Sequence, residues 1–400
     1  MDRHFTYIVV GGGLAGGSAV DGIREIDSRN PVLLIGAERF LPYDRPPLTK
    51  KLWFHQKKVE DLFMHNQSHY DVNKITVELE TSVASIDASR KTVTDSRGET
   101  YRFEKLLLAT GGYPRTLPIP GGNLDGIYYY RYLNDYLRLR EQAGEGVSAT
   151  VIGGGFIGSE IAAALRINKV NVTVLFPESY LCARVFPRYL GLAIQQHFRD
   201  RGIAILEEDA PVSISRKNDM FTVQTKKGAQ VRSEILIVGI GILPSIELAR
   251  AAGLEVGNGI VVNQYLATSH PDIFAAGDNA LFPYQALGRP MRVEHWDNAV
   301  IQGKQAGRNM AGASEPYTHL PYFFSDLFDF GYEAVGDVNS ELQTYPDWQK
   351  ENDTGIIYYV QDHTIRGAMM CNVWNKVDAA RDMIRRGEKV TEKLPAGMLR

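Results

Sequence analysis

Two short glycine runs carry the strongest chemical signal in this chain. One reads Tyr7-Ile-Val-Val-Gly11-Gly-Gly13-Leu-Ala-Gly16, the other Ala149-Thr-Val-Ile-Gly153-Gly-Gly155-Phe-Ile-Gly158. Each follows an apolar run suited to a buried strand and precedes residues at helical spacing. A strand that turns through G-x-G-x-x-G into a helix sets helix N–H groups against a pyrophosphate. One copy is a weak sign, because glycine-rich turns are common. Two copies predict two bound dinucleotides, and the chemistry that uses such a pair is electron passage from a nicotinamide to a flavin.

The first turn, with Gly11, Gly13, Leu14, Ala15 and Gly16, is expected to take the pyrophosphate of FAD. Glu38, after the second strand, is the candidate for its adenosine ribose; a solvated loop carboxylate is the plainer reading. Asp278, behind a strand and Gly277, either accepts from ribityl hydroxyls or caps a following helix. The second turn, with Gly153, Gly155, Phe156, Ile157 and Gly158, is expected to take a nicotinamide cofactor. Glu178 beyond its second strand favours a free 2′-hydroxyl, hence NADH; the nearby Arg184 leaves NADPH open. Glu160 is read either as a solvated glutamate on the first helical turn or as the partner of Lys50. Such a pair would keep a lysine charged and aimed at the flavin. His295 and Trp296 open a helix whose positive end suits charge developing on the flavin, though packing explains the two residues as well. Val83 and the strand end Ala109-Thr110-Gly111 complete the expected FAD side, with Gly239 and Gly241 on the NADH side.

These residues need a framework of strands and helices. The 400 residues suit two or three domains, and an apolar fraction of 44% fills ordinary cores. The net charge of −3 argues against a nucleic-acid surface over the whole protein. Cys182 and Cys371 are the only cysteines and lie far apart, which excludes a disulfide framework and any C-x-x-C redox pair. No stretch approaches the ~20 apolar residues of a membrane span, and strand begins too early for a leader. A cytoplasmic location is therefore expected.

Strands are expected at Phe5–Val10, Val32–Ile35, Thr150–Gly153, Asn171–Phe176 and Ala204–Leu206, and helices at Ala15–Asp27, Phe156–Asn168, Arg188–Arg201 and Glu294–Met310. A hairpin is expected over Thr92–Arg102, and an extended, helix-free loop over Leu41–Lys50, which holds three prolines. The likeness of 8–36 to 151–178, and of 106–112 to 235–241, reads as duplication of a whole nucleotide-binding unit. The fold class is thus α/β, with two Rossmann-like nucleotide-binding domains and a third, C-terminal region of different pattern. The expected divisions are 1–115 with 245–316 for FAD, 116–244 for NADH, and 317–400. The last has aromatic-rich strands and a basic helix at Ala379–Arg386.

The ordered set of the glycine fingerprint, Pro42-Tyr-Asp-Arg-Pro-Pro-Leu-Thr-Lys50, Ala109-Thr-Gly-Gly112, Gly153–Glu160, Gly277-Asp278 and Val293-Glu-His-Trp296 resembles the FAD-dependent pyridine-nucleotide reductases. Leu175-Phe-Pro-Glu178 and Phe324-Ser-Asp326…Gly331-Tyr-Glu-Ala334 look most like apoptosis-inducing factor and its bacterial relatives, then oxygenase-type ferredoxin reductases. The resemblance implies a glutathione-reductase-like fold with a C-terminal α+β domain, FAD contacts from Arg45, Lys50, Arg115 and Asp278, and a Glu160–Lys50 pair. It sets Phe156 at the nicotinamide and Glu178 at its ribose, with Glu294 and His295 near flavin and NAD. Phe324 replaces a family tryptophan, and Ala37 replaces the usual ribose acid, with Glu38 one residue on. The long mammalian C-terminal insertion is missing.

Together these readings make the chain an NADH-dependent FAD oxidoreductase that passes electrons straight from flavin to an acceptor. That acceptor is a quinone, a ferredoxin-like protein or an artificial dye. Lys50, Glu160, Phe156 and His295 carry the chemistry, with no metal. The basic bias of 376–400, seven Lys or Arg against four Asp or Glu, would suit an acidic ferredoxin. The alternative is a slow redox sensor whose NADH-bound state controls oligomerisation or partner binding. A homodimer is open, and nucleic acid is disfavoured.

Overall fold

Apolar runs set the layers. In the computed structural model, which describes residues 3–390, β1 (Arg3–Val10) leads through the first glycine turn into α1 (Leu14–Ile26) and then β2 (Val32–Ile35). A short α2 (Gln67–Val72) precedes β3 (Ile75–Glu78), β4 (Val83–Asp87), β5 (Thr92–Asp95) and β6 (Thr100–Leu108). Their order is β3-β2-β1-β6-β5-β4. The first four are parallel, and β5 and β4 add an antiparallel hairpin edge. The turn from β5 to β6 is held by Asp95, whose carboxylate accepts from the backbone N–H groups of Arg97 and Glu99, each at 2.9 Å.

A second parallel sheet follows. It contains β7 (Ile127–Tyr129), β8 (Ser148–Ile152), β9 (Asn171–Leu175), β10 (Ala204–Leu206) and β11 (Ile235–Val238), in the order β10-β9-β8-β11-β7. The helix α3 (Phe156–Ile167) leaves its glycine turn as α1 leaves the first. The expected duplication is thus present as two β-α-β units. The chain then returns to the first sheet with β12 (Ile273–Ala275) beside β6, followed by α4 (Trp296–Met310). Helices α1 and α4 touch backbone to backbone: a Cβ on Gly303 would lie 2.2 Å from the Ala15 carbonyl oxygen. The last layer is antiparallel: β13 (Tyr322–Leu327), β14 (Phe330–Gly336), β15 (Gln343–Lys350), β16 (Thr354–Gln361) and β17 (Thr364–Cys371), ordered β13-β14-β17-β16-β15 and followed by α5 (Val377–Arg385).

By internal contact the chain forms two units. The first holds residues up to Asp44, Val59–Tyr113 and Leu243–Pro321; the second holds Arg45–Lys58, Pro114–Ile242 and the residues from Tyr322 on. Residues 391–400, part of the expected basic stretch, lie outside the described residues.

Three expectations change. The proline-rich loop holds a 3₁₀ turn at Pro46–Thr49, because prolines at its first positions pre-set φ and lack only N–H groups that such a turn leaves unbonded. The final large helix starts at Trp296, not Glu294, since His295 is extended (φ −117°, ψ 146°). Asp278 caps no helix, because the chain continues into the strand Ala280–Tyr284.

Candidate functional site

The first fingerprint is shaped by contacts that only glycine permits. Gly11 has φ +127°, and a Cβ there would lie 2.1 Å from the Ala109 carbonyl oxygen; one on Gly16 would lie 1.9 Å from the Gly11 oxygen. Gly13 occupies the N-cap of α1 with no side-chain cap, and no acidic residue sits in the first turn. Helix N–H groups thus face outward for an external anion. Leu14 and Ala15 are buried behind them. Gly277 donates its N–H to Gln302 Oε1 at 2.8 Å, and half-buried Asp278 follows it. The Asp278 carbonyl is held by Arg292 Nη1 at 2.9 Å, and the same guanidinium nitrogen reaches Glu294 at 2.5 Å. Beside Ala109 and Gly111, Thr110 donates to the Ser245 carbonyl at 3.1 Å. Glu38 accepts from the Tyr43 hydroxyl at 2.7 Å, and Trp296 Nε1 donates to Asp44 at 2.8 Å. Val83 opens β4, half-buried. Asn279 and Gln302 are fully covered, yet Asn279 Oδ1 and Gln302 Nε2 have no protein partner.

His295 stands at the N-cap of α4. Loss of water around the ring pulls its pKa down to about 4, against the opposing charges of Asp278 and Asp297, so it is neutral at pH 7. Asp297 in turn holds His319 Nε2 at 2.5 Å. The folded pKa lies below the free value of about 6.5, so the unfolded chain binds the proton first. His295 thus leaves stability unaffected above about pH 7 and lowers it as pH falls from about 6.5 to about 4. We expect His295→Asn to flatten the fall of the urea midpoint between pH 7 and 4.5; an unaltered slope would disprove this.

The second fingerprint differs in exposure. A Cβ on Gly153 would lie 2.3 Å from the Gly239 oxygen, and one on Gly158 would lie 1.9 Å from the Gly153 oxygen. A Cβ on Gly155 would meet nothing within 4 Å, and Gly155 is the uncapped N-cap of α3. A cradle open at that position fits a pyrophosphate. Half-buried Phe156 and 40%-exposed Ile157 flank it, and Phe156 packs on Phe323 at 5.4 Å between centroids. Glu178 is half-buried three residues beyond β9. Gly241 (φ +95°) accepts from the Arg115 N–H at 2.9 Å.

Glu160 is not a solvated first-turn residue. It is the fifth residue of α3 and only 5% exposed, beside a Lys50 that is 4% exposed. Lys50 Nζ lies 2.9 Å from Glu160 Oε1, Ser325 donates to the same oxygen at 2.6 Å, and Thr49 donates to Oε2 at 2.5 Å. The ammonium also donates to the Phe324 carbonyl at 3.2 Å and sits 4.5 Å from the Phe324 ring centroid. Both carboxylate oxygens are therefore satisfied and the buried cation has a partner, as burial demands. Asp326, on the same strand, is pushed above the usual carboxyl range mainly by burial, with Glu160 adding and Lys50 opposing. Arg45 donates to the Arg131 carbonyl at 3.2 Å. Arg45, Lys50, Arg115 and Phe324, all expected on the FAD side, thus belong to the second unit. Thr49, Ser325, Asn279, Gln302 and the Asp297–His319 pair escaped the sequence reading. Only Thr49, adjacent to Lys50, carried a signal.

A chain with an anion cradle on each of two parallel sheets is, as a class, a reductase built for two dinucleotides. The pyridine nucleotide-disulphide oxidoreductase model matches residues 5–303, and that of apoptosis-inducing factor, mitochondrion-associated, C-terminal matches 306–354. Mitochondrial apoptosis-inducing factor 1 of Dictyostelium discoideum is 33% identical over 96% of this chain and 78% of its own length. The ferredoxin–NAD(+) reductase component of the anthranilate 1,2-dioxygenase system of Burkholderia cepacia is 34% identical over 95% of this chain and 94% of its own. The crystal structure of a covalent putidaredoxin reductase–putidaredoxin complex superposes with a TM-score of 0.90 at 29% identity, covering 97% of this chain and 95% of that one.

The chain belongs to the pyridine nucleotide-disulphide oxidoreductase family. It is an NAD(P)H-dependent FAD oxidoreductase of the ferredoxin reductase and apoptosis-inducing factor type, with the glutathione-reductase-like fold. FAD and NAD(P)H follow from that membership. Among the described residues, no helix is long and apolar enough to cross a membrane.

Proposed function

We propose that this protein oxidises NADH and delivers the electrons to a small iron–sulfur carrier of the ferredoxin type, with no thiol in between. The buried Lys50–Glu160 pair carries the reading most directly. Bound FAD would supply the link between two-electron oxidation of the nicotinamide and one-electron transfer to each of two carrier molecules. The first glycine turn, Glu38, Thr110 and Asp278 would bind it; Lys50 would offer it a fixed positive charge, kept in place by Glu160, Thr49 and Ser325. The second glycine turn and Glu178 hold NADH, with Phe156 beside its reactive ring. FAD is assigned to residues 1–115 and 245–316, NADH to 116–244, and 317–400 forms the third domain.

Neither cysteine suits a relay. Cys182 and Cys371 are 4% and 0% exposed, and burial pushes the Cys182 thiol up to about 12 and Cys371 higher still. A thiol in that state is a poor nucleophile. The ferredoxin-type acceptor is supported by relatives named as ferredoxin and rubredoxin reductases and by the neighbour solved with putidaredoxin. The measurement is NADH-driven cytochrome c reduction with and without a [2Fe–2S] ferredoxin. Stimulation of at least about tenfold is expected; equal rates would remove this acceptor. Glu178 should hold the NADH over NADPH ratio of kcat/KM above about a hundredfold, and Glu178→Arg should lower it at least about tenfold.

The match of 306–354 to the apoptosis-inducing factor C-terminal model supports a second reading, a slow redox sensor. Sedimentation with and without NADH separates the two. A mass that doubles with NADH, together with ferredoxin-independent rates, favours the sensor.

A further inference from the structure

One side-chain cluster in the first unit shares no residue with the sites assigned above. Asp21 is on α1, and His65 and His69 flank the start of α2. His65 Nε2 lies 2.8 Å from Asp21 Oδ2, and His69 Nε2 lies 3.3 Å from Asp21 Oδ1. The two imidazoles stack face to face, with centroids 3.6 Å apart and planes 7° from parallel. Both rings therefore turn the same nitrogen edge towards one carboxylate.

The frame around the cluster is built, not incidental. Asn66 caps α2 by accepting from the His69 N–H at 3.1 Å, which puts His65 and His69 on either side of the cap. Arg24, one turn beyond Asp21, donates to the Asn73 carbonyl at 2.7 Å and the Lys74 carbonyl at 3.1 Å, clamping α1 to the far end of α2. Fully buried Tyr70 sets its ring edge-on to both imidazoles, at 6.1 Å and 5.6 Å. All three candidate ligands are about a third exposed or less: 27%, 32% and 30% for His65, His69 and Asp21. The two imidazoles also line a cleft of about 840 Å³, so an ion can reach them.

We propose that Asp21, His65 and His69 form a binding site for one zinc ion, or a like divalent transition metal, with the remaining position left to solvent. Two imidazole nitrogens and a carboxylate oxygen are a ligand set that zinc favours. Metal–ligand bonds of about 2.0–2.1 Å in a tetrahedron put ligand atoms about 3.3 Å apart. The three candidate atoms already lie within 4.8 Å of one another, so small side-chain rotations complete the triangle. With its three ligands on α1 and on the segment around α2, the ion acts as a staple. It ties α1, which starts at the first glycine turn, to the segment carrying α2.

The test uses the flavin-loaded protein, stripped with a chelator and desalted, then titrated with zinc chloride in a calorimeter. One equivalent is expected at a Kd of about 1 μM, with a rise in the melting temperature. His65→Ala and His69→Ala should each weaken binding more than about tenfold and abolish the thermal shift. Both should keep the flavin and the wild-type rate of its reduction by NADH. Absence of saturable binding near one equivalent, or equal affinity in the variants, overturns the site. X-ray absorption of the zinc-loaded wild type needs no variant: two imidazole shells are expected, and a shell of oxygen ligands alone rejects the proposal.

Discussion

Gly11→Val is expected to yield a protein without bound flavin, whereas Gly155→Asp yields one that stays yellow yet is not bleached by NADH. The contrast comes from what surrounds each residue. A side chain at Gly11 would start 2.1 Å from the Ala109 carbonyl, at a φ of +127° that L-residues avoid. The strand β1, the Ala109 strand end or the turn must then move, at a cost above about 3 kcal/mol. The turn that would hold the pyrophosphate is lost with it. At Gly155 an added Cβ meets nothing within 4 Å, so the fold tolerates it. An aspartate there would fill the cradle with a carboxylate and repel the pyrophosphate. Absorbance at 450 nm after desalting reads the first effect. Stopped-flow reduction by NADH reads the second, and a loss in kcat/KM of at least about a hundredfold is expected. A Gly155→Asp protein reduced at the wild-type rate would show that NADH binds elsewhere.

Glu160→Leu should be the most damaging single change away from the glycine turns. It strips the partner from a cation only 4% exposed, takes the Glu160 acceptor from the Ser325 hydroxyl and leaves that of Thr49 with the Pro46 carbonyl at 3.3 Å. Breaking a buried pair from one side typically costs about 3–5 kcal/mol. Replacing both partners with apolar groups of similar volume is often neutral, so Lys50→Met with Glu160→Leu should recover most of the stability. Activity should part from stability at this step. The double variant lacks the fixed charge proposed to act on the flavin, so its reduction by NADH should remain at least about tenfold slow. Urea unfolding and rapid-mixing kinetics on the same three proteins decide the matter. A double variant that regains both stability and rate would reduce Lys50–Glu160 to a packing device.

The two fingerprints were legible because their physics is local. Each needs only an apolar strand, glycines at fixed offsets and a helix start, all within a dozen residues. The same locality made β1, α1, β8 and α3 readable to within one or two residues. The errors were also local. The three prolines signalled the absence of an α-helix, yet two of them favour the 3₁₀ turn at Pro46–Thr49. The residues around Glu160 left two readings open, a solvated glutamate and a partner of Lys50, and could not decide between them.

Composition and spacing by themselves determined the α/β class, the paired nucleotide cradles and the lack of a cysteine relay motif, since these depend on neighbours along the chain. Folding alone settled the burial of Glu160 with Ser325, 165 residues away, and the meeting of Asp21 with His65 and His69. A carboxylate's charge state and partners are set by whatever surface the fold closes over it. That surface comes from strands and helices remote in sequence, and no pattern near the residue encodes it.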